Sequence, residues 1–176
     1  MEFVNEFKVP TDIESAWRIL TDLERVAPCL PGAVLDERDG DTYTGRVKVK
    51  VGPISVAYRG QAQLLDVDPV ARTARIEASG SETKGAGTAS ADVRATLSEV
   101  ADGTNVRVVT DLALTGKPAQ LGSGVMAEVG TRIISTFAQR LEAMVREDTV
   151  EAEAGGTDAS AAGRAARPAS AAPPED

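Results

Sequence analysis

Cys29 is the one thiol in a chain with no histidine. A catalytic thiolate here would lack its usual base, and the flanking Pro28 and Pro31 suit a packed thiol. The same composition excludes an internal disulfide, a Cys/His zinc site and a His-based triad. Glu77, Glu82, Asp92 and Glu99 supply carboxylates, but no spacing singles out a general acid/base pair. The stretch Gly80 to Gly87 lacks the Walker pattern and joins two strands, so it reads as a hairpin or lid. Two side-chain types remain for recognition chemistry. Tyr43 and Tyr58 combine an apolar ring with a hydroxyl suited to a carbonyl at a pocket mouth, although half-buried strands also carry ordinary tyrosines. Arg46, Lys48 and Lys50 form a basic stripe, by default a solvated strand face.

The elements that position these residues follow from periodicity. Phe3, Asn5, Phe7 and Val9 alternate with polar residues in a strand that Pro10 ends. Thr11 or Asp12 caps a helix whose Ile13, Ala16, Trp17 and Leu20 share one face, and Thr21-Asp22 starts a short turn from Leu23 to Val26. From Ala33 to Thr115 the reading is β. Val47, Val49 and Val51 alternate with the basic stripe; Gly52-Pro53, Asp68-Pro69, Gly80 to Gly87 and Asp102-Gly103 mark turns. The intervening strands carry Ile54 to Leu64, then Ala74, Ile76 and Ala78, then Ala89, Ala91, Val93, Ala95 and Leu97, and last Val106, Val108, Thr110, Leu112 and Leu114. A final helix from about Leu121 carries Met126, Val129, Ile133, Phe137, Leu141 and Met144 on one stripe.

Closely spaced turns favour an antiparallel sheet over βαβ units, and only the last helix is long enough to cover its apolar face. The expected fold is α+β, a curved seven-stranded antiparallel sheet gripping a long C-terminal helix over 1–146. The segment 147–176 holds five of the chain's eight excess negative charges and almost no large aliphatics. It is expected to be disordered beyond a helical extension to about Ala154. The net charge of −8 gives no general attraction to nucleic acid or anionic lipid. Met1-Glu2 begins no signal sequence and no apolar run approaches a membrane span, so the expected compartment is the cytosol.

Aromatics are 3% of the chain, and the inward strand positions are rich in alanine. Small side chains on a curved sheet either close tightly or leave an apolar site beneath the helix, gated by Gly-rich segments such as 80–87 and 122–130. On the second reading the ligand-binding residues are Trp17, Tyr43, Val49, Tyr58, Ile76, Ala91, Val93, Val108, Leu112, Met126, Val129, Ile133 and Phe137, with Met126, Val129, Ile133 and Phe137 foremost. Trp17 is the residue best explained by packing alone.

The ordered set Ala27-Pro28-Cys29-Leu30-Pro31-Gly32-Ala33, Tyr43-Thr44-Gly45, Val47 to Pro53, Tyr58-Arg59-Gly60 and Gly116 to Gly122, followed by Phe137, resembles the CoxG family of the carbon monoxide dehydrogenase system. The resemblance implies the helix-grip fold of the START/Bet v 1-like (SRPBCC) superfamily with a deep apolar cavity. It also implies a non-catalytic accessory role in aerobic carbon monoxide oxidation: taking a respiratory quinone, menaquinone or a similar isoprenoid quinone, to the molybdenum-containing carbon monoxide dehydrogenase. The implied location is cytoplasmic and peripheral to the inner face of the cell membrane, through transient contact. Each five-carbon isoprenoid unit exposed to water costs about 4 kcal/mol, so such a quinone does not leave a bilayer unaided. Two alternatives stay open: a docking factor recruiting the dehydrogenase to the membrane, and a small cyclase- or dehydratase-like enzyme. The acidic tail departs from the membrane-attaching C-terminal segment expected of some family members.

Overall fold

The computed structural model describes residues 1–158, with side chains described to 147. The seven strands are β1 (Glu2–Val9), β2 (Ala33–Asp39), β3 (Thr42–Val51), β4 (Ile54–Asp68), β5 (Thr73–Glu82), β6 (Thr88–Val100) and β7 (Gly103–Leu114). They form one antiparallel sheet in the order β1-β7-β6-β5-β4-β3-β2. Helices α1 (Ile13–Leu20) and α2 (Leu23–Val26) fill the connection from β1 to β2, and α3 (Gly122–Asp158) follows β7. This is the curved, seven-stranded helix-grip architecture that the alternation and turn residues predict.

The local causes are those the sequence contains. The Asp12 side chain caps α1, and the Ser15 hydroxyl donating to it at 2.7 Å, then the Ser15 N–H at 3.1 Å, hold its carboxyl below the usual carboxylate range. The β3–β4 turn passes through Gly52 at φ +59°, the left-handed region that glycine enters without a Cβ penalty. At the β4–β5 turn, Asp68 accepts the N–H groups of Val70 and Ala71 at 3.0 and 3.1 Å. The segment 80–87 is a tied hairpin: Glu82 N–H donates to the Gly87 carbonyl and Thr83 N–H to that of Ala57, each at 2.9 Å.

The chain divides into two compact units, the first being Met1–Leu141. Its interior is packed at both ends of the sheet. At the β3–β4 turn end, Val51, Met126 and Val129 form a buried cluster joined by Phe3, Val49, Leu112, Leu114, Leu121, Val125 and Ile133. At the other end, Trp17 is 8% exposed with the Arg72 guanidinium over its ring, near the β4–β5 turn. Beside α1, the buried Thr104 donates its hydroxyl to the Thr11 carbonyl at 2.9 Å.

The second unit begins at Glu142 and is described as helix through Asp158, with an Arg146–Glu142 ion pair at 3.5 Å. The expected end of helix near Ala154 is thus passed by four residues. The rest of the expectation for the tail falls on 159–176, outside the described residues.

Candidate functional site: an apolar cavity between sheet and helix

Between the two packed ends the sheet and α3 part. The register explains why. Gly45 on β3 pairs with Gly60 on β4, Gly60 with Gly80 on β5, and Gly80 with Ala89 on β6. Ala62, Ala78 and Ala91 form a second such row. Four strands therefore present hydrogen or methyl inward along the first row and three along the second, where β3 places Tyr43. The backbone also bends closely there, since a Cβ on Gly60 would fall 1.9 Å from the Ser79 carbonyl oxygen. Phe7 and Phe137, edge to face at 5.8 Å, bound the space below, together with Ile134.

The resulting cavity is about 510 Å³, within the range of small-molecule sites. At about 24 cal/mol per Å³, a dry void of that size would cost about 12 kcal/mol, as much as a domain's whole stability of about 5–15 kcal/mol. The cavity therefore holds a ligand or solvent. Its lining includes Leu30, whose exposure of 37% marks the mouth beside the loop that leads into β2. A Cβ on Gly32 in that loop would lie 2.2 Å from the Lys48 carbonyl oxygen, so the loop is pinned onto β3.

Eight of the thirteen expected residues line this cavity: Tyr43, Tyr58, Ile76, Ala91, Val93, Val108, Leu112 and Phe137. Five do not. Val49, Met126, Val129 and Ile133 lie in the packed cluster at the β3–β4 turn end, because the first turns of α3 rest directly on β3 and β7. Ile134, one residue on, is the isoleucine of α3 that reaches the cavity. Trp17 packs at the opposite end, where its ring meets Arg72. The glycine segments are likewise fixed: 80–87 is the tied hairpin, and 122–130 is already helix. The expected site set left out the lining residues Gly45, Gly60, Leu30 and Ile134, and also Ala62 and Ala78, which periodicity placed on the inward strand positions. For the glycines and alanines the signal was the coincidence of small residues across paired strands, visible only once the register is known.

Polar chemistry inside is sparse. Tyr43 is 5% exposed, with Arg38 5.2 Å from its ring centroid, and burial pushes its phenol up against the opposing pull of that guanidinium. Tyr58 is 8% exposed, and its buried hydroxyl has no hydrogen-bond partner, alone in this among the side chains of the described residues. Burial, and next the Glu82 charge, push its phenol up. Both tyrosines therefore stay protonated at neutral pH. Cys29 is buried and its thiol pushed up by burial, an inert group. The basic stripe faces outward, with Arg46 held to Asp36 by bonds of 2.8 and 3.0 Å. Asp92 and Glu77 are engaged by Arg75 on that outer face. No described helix is long and apolar enough to cross a membrane.

The fold recurs in solved structures at low sequence identity. A conserved protein from Geobacillus kaustophilus superposes with a TM-score of 0.74 at 18% identity, over 84% of this chain and 96% of that one. The Zhui aromatase/cyclase from Streptomyces sp. R1128 gives 0.60 at 12% identity, over 85% and 95%. A START superfamily protein from Mycobacterium smegmatis gives 0.56 at 14%, over 83% and 97%. No curated protein sequence matches significantly. The family model for CoxG of carbon monoxide dehydrogenase matches residues 6–146, which span the sheet, the cavity and α3 as far as Arg146, and the chain belongs to that family.

Proposed function

We propose that this protein is a non-catalytic carrier that takes an isoprenoid quinone, of the menaquinone class, from the membrane and presents it to aerobic carbon monoxide dehydrogenase. The observation that carries the reading is the apolar cavity of about 510 Å³, with the exposed Leu30 on its lining. Family membership supports the choice of partner, since the family is named for that dehydrogenase. A polyprenyl chain loses about 0.8 kcal/mol for each CH₂ left in water, so any route through the aqueous phase needs such a shelter. Contact with the membrane is transient and peripheral in this reading, with the mouth as the point of transfer.

The fold shared with an aromatase/cyclase raises an enzymatic alternative. Against it stands the lack of a histidine to exchange protons near neutrality, with both cavity phenols held protonated; the Tyr58–Glu82 pair is what such an enzyme would have to use.

The test is transfer. Vesicles loaded with menaquinone are incubated with the protein and removed by centrifugation. The supernatant is then given purified dehydrogenase and carbon monoxide. Vesicle-free quinone that becomes reduced is the expected result; quinone that stays wholly with the vesicles refutes the carrier.

A further inference from the structure

Tyr58 stands at a particular place on the cavity wall. It pairs with Val47 on one side and with Glu82 on the other, next to the glycine row. Glu82 is the charged group beside it, and its hydroxyl is buried without a partner, alone in this among the side chains of the described residues. Leaving a buried hydroxyl unbonded is unfavourable, and native interiors do it rarely. A phenylalanine would fill the same space without that penalty.

We infer that Tyr58 Oη is the hydrogen-bond donor that seats the polar end of the ligand, and that this end is a neutral carbonyl rather than a carboxylate. The inference rests on the reading of the cavity as an apolar-ligand site.

The choice of a neutral head comes from the charges around that hydroxyl. Glu82 lies opposite Tyr58 in the register, and its carboxylate fills the space a side chain on Gly87 would need, 1.8 Å from the Cβ position there. Among the described residues Glu82 has no ion-pair partner. The β3 cations flanking Val47, Arg46 and Lys48, belong to the outward-facing stripe, with Arg46 tied to Asp36. A fatty-acid carboxylate at Tyr58 would therefore face an uncompensated negative charge in a poorly solvated site, whereas a carbonyl oxygen accepts the phenol proton and adds no charge. A quinone, ketone or ester head on an apolar body fits; a free fatty acid does not.

The probes are three: a 1,4-naphthoquinone with a short prenyl chain, the corresponding prenylnaphthalene without carbonyls, and palmitate, each titrated into delipidated full-length protein by quenching of Trp17 fluorescence or by calorimetry. The quinone is expected to bind wild type about tenfold tighter than the hydrocarbon, the worth of one good hydrogen bond in a dry site. Tyr58→Phe is expected to erase that difference while leaving hydrocarbon binding and thermal stability at or above wild type. Palmitate is expected to bind more weakly than the quinone. If Tyr58→Phe keeps the full preference for the quinone, the anchor is overturned while the carrier reading stands. If palmitate equals the quinone, the neutral head is overturned. If neither quinone nor hydrocarbon binds wild type, the carrier reading itself falls. A Phe variant that did not fold would leave the wild-type comparison of quinone with hydrocarbon, where equal affinity overturns the anchor alone.

Discussion

Enlarging the alanines of the cavity wall tests whether the space is real, because a void and a filled core answer with opposite signs. Ala78 and Ala91 face each other across β5 and β6, and both line the cavity. Replacing either by leucine adds three carbon groups. At about 0.8 kcal/mol each, less about 0.5–1 kcal/mol for fixing the side chain, Ala78→Leu or Ala91→Leu should stabilise the delipidated protein by about 1.5–2 kcal/mol. With a urea slope near 2 kcal/mol/M, the unfolding midpoint rises by about 1 M. The same insertion into a packed interior would cost about 1–3 kcal/mol. The two sites touch, so each variant is measured singly before the pair. A midpoint that falls in both single variants, with an unchanged slope, would refute the cavity and everything placed in it.

The other predictions concern the frame. Ile134→Phe should cut uptake of a prenyl-naphthoquinone with little loss of stability, whereas Val129→Phe should overpack the buried cluster by about 1–3 kcal/mol, both read by denaturation and titration. Gly60→Ala drives a methyl against the Ser79 carbonyl and the Gly80 backbone and should destabilise by about 2 kcal/mol or more in urea unfolding. Asp12→Ala removes the α1 cap and should cost about 1 kcal/mol at neutral pH. Because the folded carboxyl titrates below its unfolded value, that stability is present above the unfolded value and is lost as pH falls through the folded one. Wild type and variant should therefore converge in acid.

Much of the fold was legible from local chemistry. Alternation from Phe3 to Val9 and from Ala33 to Leu114, with the Gly, Pro and Asp turns, determines seven antiparallel strands, and Asp12 signals the helix that follows Pro10. The cavity was legible only as a composition, alanine and glycine where leucine would fill. Its position was not, because which small residues share a row depends on register: Gly45, Gly60 and Gly80 are 15 and 20 residues apart in sequence but side by side in the sheet. On α3, one helical stripe served both the packed cluster and the cavity wall. Periodicity put Ile133 on that stripe and left Ile134 off it, whereas Ile133 packs and Ile134 lines the cavity. Tyr58 was legible as an amphipathic side chain, but its unpaired hydroxyl is a property of its surroundings.

The central claim is that the cavity shelters a carbonyl-bearing isoprenoid, and the direct measurement is mass spectrometry of an organic extract of the protein purified without detergent from cells that make menaquinone. The account predicts an isoprenoid quinone approaching one per protein molecule, strongly reduced in Ile134→Phe. An extract holding only fatty acids or phospholipids in that amount, unchanged by the substitution, would contradict it.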